Sequence, residues 1–456
     1  MRLPMSPLDA MFLVGESRRH PLHVGAVQLF TPPDGADAHD IRVLLTDAAR
    51  DPNQVLAPAL SRSPYRSPRT WGQWAWRSDD ADPDDHVRAE ALPGPGTRRQ
   101  LFELCAWLHS APLDRTRPLW EMHLIEGLAD GRLAVYTKLH HAVADGVGAM
   151  RMLRGALSED PDDRAVPAPW QARPARRRTP TQTQAHFDVV HAARAGFAEL
   201  AGMVPALAST LGRSIRESGS AVSFSAPQTM FNVSIGSARR FTARSWPLER
   251  LRLVAKASGT TVNDVVLAMS SGALRRYLLT RGALPDRPLV AMVPVSLRSQ
   301  IAGDGNAIGV LMCNLATHSD DAQTRLTTIA DCMRDGKDAL SHMSPTQVLA
   351  MSALGAAPVG ASMLFGHNTV VRPPFNLIVS NVTGSDVPLY WNGARLDALY
   401  PMSVPVDGQA LNITCTSHDD ELFFGVTACR RAVPDLPSVI GHFDTELSAL
   451  ERAAGV

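Results

Sequence analysis

Residues 159–184 read EDPDDRAVPAPWQARPARRRTPTQTQ, a stretch dense in proline and charge that has neither helical nor strand periodicity and divides the chain in two. On either side strand-like and helix-like patterns alternate, as a mixed α/β fold requires. Before it, HVGAVQLF from His23 and RLAVYTKLH from Arg132 read as strands, and DIRVLLTDAAR from Asp40 has helical spacing. After it, PLERLRLVAKASG and TVNDVVLAMSSGALRRYLLTRG read as helices stopped by Gly259 and Gly282. PLVAMVPVSLR reads as an apolar strand, while LNITCTS and LFFGVTAC read as an antiparallel hairpin across HDDE. A chain of 456 residues is too long for one ordinary core and long enough for two. The expected organisation is a first lobe over 1–158, a linker and connecting helix over 159–230, and a second lobe over 231–456.

The 45 basic residues balance the 45 acidic ones, so no net field draws the chain to nucleic acid, and any polyanionic ligand must be met by a local patch. Five scattered cysteines without short paired spacings point to a reduced compartment and away from a zinc site. The segment MRLPMSPLDAMFLVGESRRHPLHVG lacks a signal-peptide core, which favours the cytoplasm. Residues 348–366, VLAMSALGAAPVGASMLFG, carry no charge over nearly a membrane span. Small residues dominate them and Pro358 interrupts them, leaving two readings: a buried helix pair or an interfacial, lipid-facing element.

The stretch TKLHHAVADGVGAM, 137–150, ends a strand with two histidines and then offers Asp145 and Gly146 before a helical pattern. Strand alternation sets His141 at the end of the row Leu133, Val135, Thr137 and Leu139, with His140 on the opposite face. Desolvation at the end of that apolar row would keep the His141 imidazole neutral near pH 7 and available as a base. The bland reading makes Asp145 a helix N-cap, His140 a surface residue and His141 a core histidine. A metal site is disfavoured, because the histidines face apart and no third ligand is near.

HHAVADG matches the HHxxxDG motif of acyltransferases that share the chloramphenicol acetyltransferase fold. MSPLDAMFLVGES, PLHVGAVQLF, RPLWEMHLIEGL, TVNDVVLA, MVPVSLR with GNAIG, and LIVSNVTGSDVPLYWNGARL resemble, in that order, the bacterial wax ester synthase/acyl-CoA:diacylglycerol acyltransferase family. The resemblance implies two chloramphenicol acetyltransferase-like lobes, each a mixed sheet with flanking helices, and an active channel between them. It also implies direct transfer of an acyl group from long-chain acyl-CoA, a co-substrate in an enzyme with no cofactor, to diacylglycerol or a long-chain alcohol.

Carried onto this chain, the resemblance makes His141 the general base, Asp145 a structural brace, and His140 a residue that orients the loop. Gly146, placed with the substrate-binding residues, allows a backbone conformation or a close approach that a side chain would obstruct. Asn263 is the oxyanion candidate, an effect worth about 2.7 to 4 kcal/mol per donor, with helix N-cap as its other reading. Arg298 is the candidate partner of Asp145, or else an arginine closing a strand at the surface. Asp9 either builds the acceptor side of the channel or begins a helix, and Pro118-Leu119-Trp120 reads as a strand entry with a core aromatic. His418 and Cys429 depart from the family's usual aromatic and acidic residues, which leaves the acceptor open. Contact with the surface of a membrane or lipid droplet is expected. The alternatives are a condensation-type acyltransferase using a carrier-protein thioester, and a non-catalytic lipid-binding protein on the same scaffold.

Overall fold

The computed structural model describes residues 2–66, 72–78, 81–172, 226–296, 308–343 and 373–456. Strand β1 (Arg2–Pro4) and helix α1 (Pro7–Gly15) come first, followed by β2 (His23–Thr31) and α2 (Ala38–Arg50). Strands β3 (Arg62–Arg66), β4 (Trp74–Ser78) and β5 (Val87–Ala91) lead to α3 (Arg98–Ser110), β6 (Trp120–Glu126), β7 (Leu133–His140) and α4 (Gly146–Gly155). The second half contains β8 (Arg239–Pro247), α5 (Leu248–Ala257), α6 (Val262–Leu279), β9 (Val290–Ser296), β10 (Ile308–Asn314) and α7 (Ala322–Ser341). It ends with β11 (Leu377–Ser385), β12 (Tyr390–Trp391), β13 (Ala394–Met402), β14 (Leu411–His418), β15 (Glu421–Cys429) and α8 (Leu436–Ala454).

These elements build two mixed six-stranded sheets, β12-β13-β2-β7-β6-β5 and β10-β9-β11-β14-β15-β8, beside a small sheet β1-β4-β3. Helix starts are chemically specified. Asp37 with Asp40, and Thr261 with Asp264, form reciprocal capping boxes at α2 and α6, and Gly259 and Gly282 adopt positive φ just past α5 and α6. No described helix is long and apolar enough to cross a membrane.

β7 lies inside the first sheet and is buried on both faces. Leu133, Val135 and Leu139 pack with Ile41 and Leu45 of α2 and Met150 and Leu153 of α4. Ala134 and Tyr136 face a different cluster, which includes Phe102 of α3 and Phe241 and Phe423 of the second sheet. Phe102 meets Phe241 edge-on at 5.3 Å, so α3 is glued to both sheets.

The chain crosses the expected lobe boundaries twice. β13 runs antiparallel to β2, with Tyr400 opposite Val27, so a strand from the far half completes the first sheet. Within the presumed linker, Trp170 is fully buried, stacks near Trp120 and donates its indole N–H to Gln54 at 2.7 Å. A large aromatic that finds a core and a hydrogen-bond partner stays folded whatever the proline content around it.

Candidate active site

β7 stops at His140 because the chain turns there: the amides of Val143 and Ala144 both donate to the His140 carbonyl, at 2.8 and 3.2 Å. His141 therefore leaves the strand. It does not continue the odd-numbered row; instead its amide donates to the Leu22 carbonyl at 3.0 Å.

His140 is fully buried, not a surface residue. Its amide donates to the Leu119 carbonyl, and its Nδ1 accepts the Ala142 N–H at 3.0 Å. An accepting Nδ1 puts the proton of the neutral ring on Nε2, which lies 3.5 Å from Glu16 Oε1. The buried Glu16 carboxylate accepts from the Leu22 amide at 3.1 Å and from Arg115 Nη2 at 2.8 Å. Burial works to raise the Glu16 pKa, but His140, the Leu22 N–H and Arg115 outweigh it and hold the carboxyl below its ordinary range.

The His141 ring is half-buried and stacks on Phe12, with centroids 4.9 Å apart and planes 15° apart. Its Nδ1 is enclosed without a hydrogen-bond partner. Burial, reinforced by the neighbouring His140 and opposed by Asp145, lowers the His141 pKa to about 4. The imidazole is neutral at pH 7.

Asp145 is the N-cap of α4: its Oδ1 accepts the Gly148 N–H at 2.6 Å. Arg298, its candidate partner, lies outside the described residues, as does the apolar segment 348–366. Gly146 opens α4 directly after Asp145. A Cβ on Gly146 would meet no other atom of the chain within 4 Å, whereas one on Gly148 would sit 3.0 Å from Asp145 Oδ1. Asn263 is half-buried in the first turn of α6, and the N-cap there is Thr261, so the capping reading of Asn263 is corrected. Trp120 opens β6 as a core aromatic, as its sequence suggested.

Phe12, Glu16 and Arg115 were not among the expected site residues. A signal for two of them was present: Phe12 and Glu16 are four apart, and with Asp9 they share the i, i+3, i+7 face of α1. Phe12 stacks on His141 and Glu16 stands 3.5 Å from His140, so this face of α1 is turned to the histidine pair. On it, burial raises the Asp9 pKa, opposed by hydrogen bonds from Ser6 and by His140.

Residues 5–266 match the wax ester synthase/diacylglycerol acyltransferase catalytic domain, and residues 304–451 match the C-terminal domain that accompanies it. The chain belongs to the wax ester synthase/diacylglycerol acyltransferase family. It is an acyltransferase. A probable diacylglycerol O-acyltransferase of Mycobacterium tuberculosis is 46% identical, over 99% of both chains. The wax ester synthase/diacylglycerol acyltransferase of Marinobacter aquaeolei VT8 superimposes with a TM-score of 0.80 at 38% identity, over 100% of both chains. A condensation domain of the calcium-dependent antibiotic synthetase, at TM-score 0.60 and 16% identity over 100% of this chain and 96% of that one, shares the two-lobed fold.

Proposed function

We propose that the enzyme moves a long-chain acyl group from acyl-CoA to the hydroxyl of diacylglycerol or a long-chain alcohol, with His141 as general base. The observation that carries this is a half-buried imidazole, neutral at pH 7 and fixed by Phe12, in the turn of an HHxxxDG motif. The other ring nitrogen, Nε2, takes the hydroxyl proton as the oxygen attacks the thioester carbonyl. Collapse of the tetrahedral intermediate breaks the carbon–sulfur bond, and the departing thiolate takes the proton from His141.

In this reading, His140 and Glu16 fix the turn that carries His141. Asp145 starts α4 and braces the same turn, and Asn263 donates to the oxyanion. The lipid approaches by α1, whose Met11 and Val14 are 62% and 58% exposed while Phe12 turns inward to His141. An apolar outer face on that helix suits contact with the surface of a membrane or lipid droplet. Release of free CoA thiol from long-chain acyl-CoA, measured across diacylglycerol, long-chain alcohols and a carrier-protein thioester control, tests the reading. Wild-type enzyme that releases no CoA with any lipid acceptor would overturn it.

A further inference from the structure

The loop from Glu16 to Leu22, which holds both histidines, leads into a concentration of positive charge that the acyl transfer itself leaves unused. Arg239 opens β8 opposite Cys429, the last residue of β15, and Arg430 and Arg431 follow directly. The Arg430 amide donates to the Ala238 carbonyl at 3.0 Å. The Arg431 guanidinium lies over Gly236, with Nε 3.3 Å from where a Cβ would stand. Arg239 donates to the backbone carbonyls of Gly236 and Arg19, which sets the backbone of the exposed pair Arg18 and Arg19 beside the same seam.

Among the described residues, none of these five arginines forms an ion pair with a carboxylate. Asp407, whose charge Arg239 feels, is already occupied by His20 at 3.1 Å, the Ile235 amide at 2.8 Å and the Ser234 hydroxyl at 3.3 Å. Arg239 Nε is enclosed without a partner. The chain's 45 basic and 45 acidic residues balance as a whole, so a group of arginines without carboxylate partners along one seam suits an anion. Their planar forks match phosphate oxygens.

Of the two substrates, only acyl-CoA carries phosphates. Its pantetheine arm also separates those phosphates from the thioester, so their seat should stand away from the base and yet connect to it. Arg19 is three residues from Leu22, at most about 10 Å of chain, and the Leu22 carbonyl holds the His141 amide. We propose that Arg18, Arg19, Arg430 and Arg431, joined by the buried Arg239, seat the diphosphate and 3′-phosphate of acyl-CoA. The proposal rests on acyl-CoA being the donor.

Anionic lipid headgroups share this phosphate chemistry, so the test has an arm for each source. Equilibrium dialysis of CoA and of pantetheine is compared for the full-length wild type, Arg430→Ala/Arg431→Ala and Arg18→Ala/Arg19→Ala, with melting curves to check folding. Each double variant should bind CoA about tenfold or more weakly, the size of one charge-assisted hydrogen bond, and should bind pantetheine as before. Wild-type affinity for CoA should fall with added salt, and the variants should respond less. Sedimentation with phosphatidylglycerol vesicles should be unchanged. Undiminished CoA binding in both variants, or loss of vesicle binding with CoA binding intact, overturns the seat. If the wild type meanwhile transfers from acyl-CoA, the donor assignment survives that result; a wild type that binds no CoA overturns both.

Discussion

Phe12 and His141 stack face to face, 4.9 Å apart, and this pairing joins the first helix of the chain to the turn after its central strand. Phe12→Ala should remove the stack, at about 1 kcal/mol, and lessen the burial that depresses the His141 pKa. In an NMR titration the His141 ring should then take up its proton at higher pH than in the wild type, while Phe12→Tyr should keep the wild-type value. An unmoved His141 titration in Phe12→Ala would mean that burial comes from elsewhere.

Glu16 is the point where α1, the His141 turn and Arg115 meet. Glu16→Gln keeps an acceptor for Leu22 but removes the charge that answers Arg115 and His140, so it should destabilise by about 1–3 kcal/mol. Turnover should fall further than the folded fraction does. A variant with wild-type melting and wild-type turnover would remove Glu16 from the positioning of His140.

Asp145 caps α4 with a single side-chain bond to Gly148. Asp145→Ala should lower stability by about 1 kcal/mol, and Asp145→Asn, itself a good cap, should restore most of it. Denaturant unfolding of the two variants separates cap from brace. A loss in Asp145→Asn as large as in Asp145→Ala would mean that the negative charge itself is being answered.

Acid stability has a definite sign. Burial lowers the pKa of His109 to about 3 and of His141 to about 4, and holds His23 well below its ordinary value. From about pH 6.5, the ordinary imidazole value, down to about pH 4, the unfolded chain binds protons that these rings exclude in the native state. Stability therefore rises with pH through this window and is lost as pH falls through it. From about pH 4.5 downward Glu16 adds a second loss, because its lowered carboxyl stabilises only while ionised. Melting temperature followed from pH 7 to pH 4 should drop steadily, and His141→Gln should show a shallower slope.

Asn263 gives the test that reaches from the first lobe to the second. Asn263→Ala should lower turnover about a hundredfold while acyl-CoA binding, measured by dialysis, stays near the wild-type level. Equal losses in both would make Asn263 a binding residue and not an oxyanion donor.

What was legible in the sequence was what short-range pattern carries. β2, β7, α6 and the β14–β15 hairpin stand where periodicity and turn residues set them. The unread part depends on partners far apart in the chain. Nothing near position 170 announces that Trp170 will reach Gln54, or that β13 will pair with β2. Strand alternation also misled at the site itself, because it assumes that β7 continues through His141. The turn at His140 ends the alternation, and the carbonyl of Leu22 sets His141 in its place.

Replacement of the base is the most direct test. His141→Ala removes a half-buried ring and should lower CoA-thiol release and ester formation by two to four orders of magnitude, roughly the contribution of a general base, with the fold intact by melting and circular dichroism. An His141→Ala enzyme that folds normally and turns over long-chain acyl-CoA and lipid acceptor near the wild-type rate would contradict the mechanism.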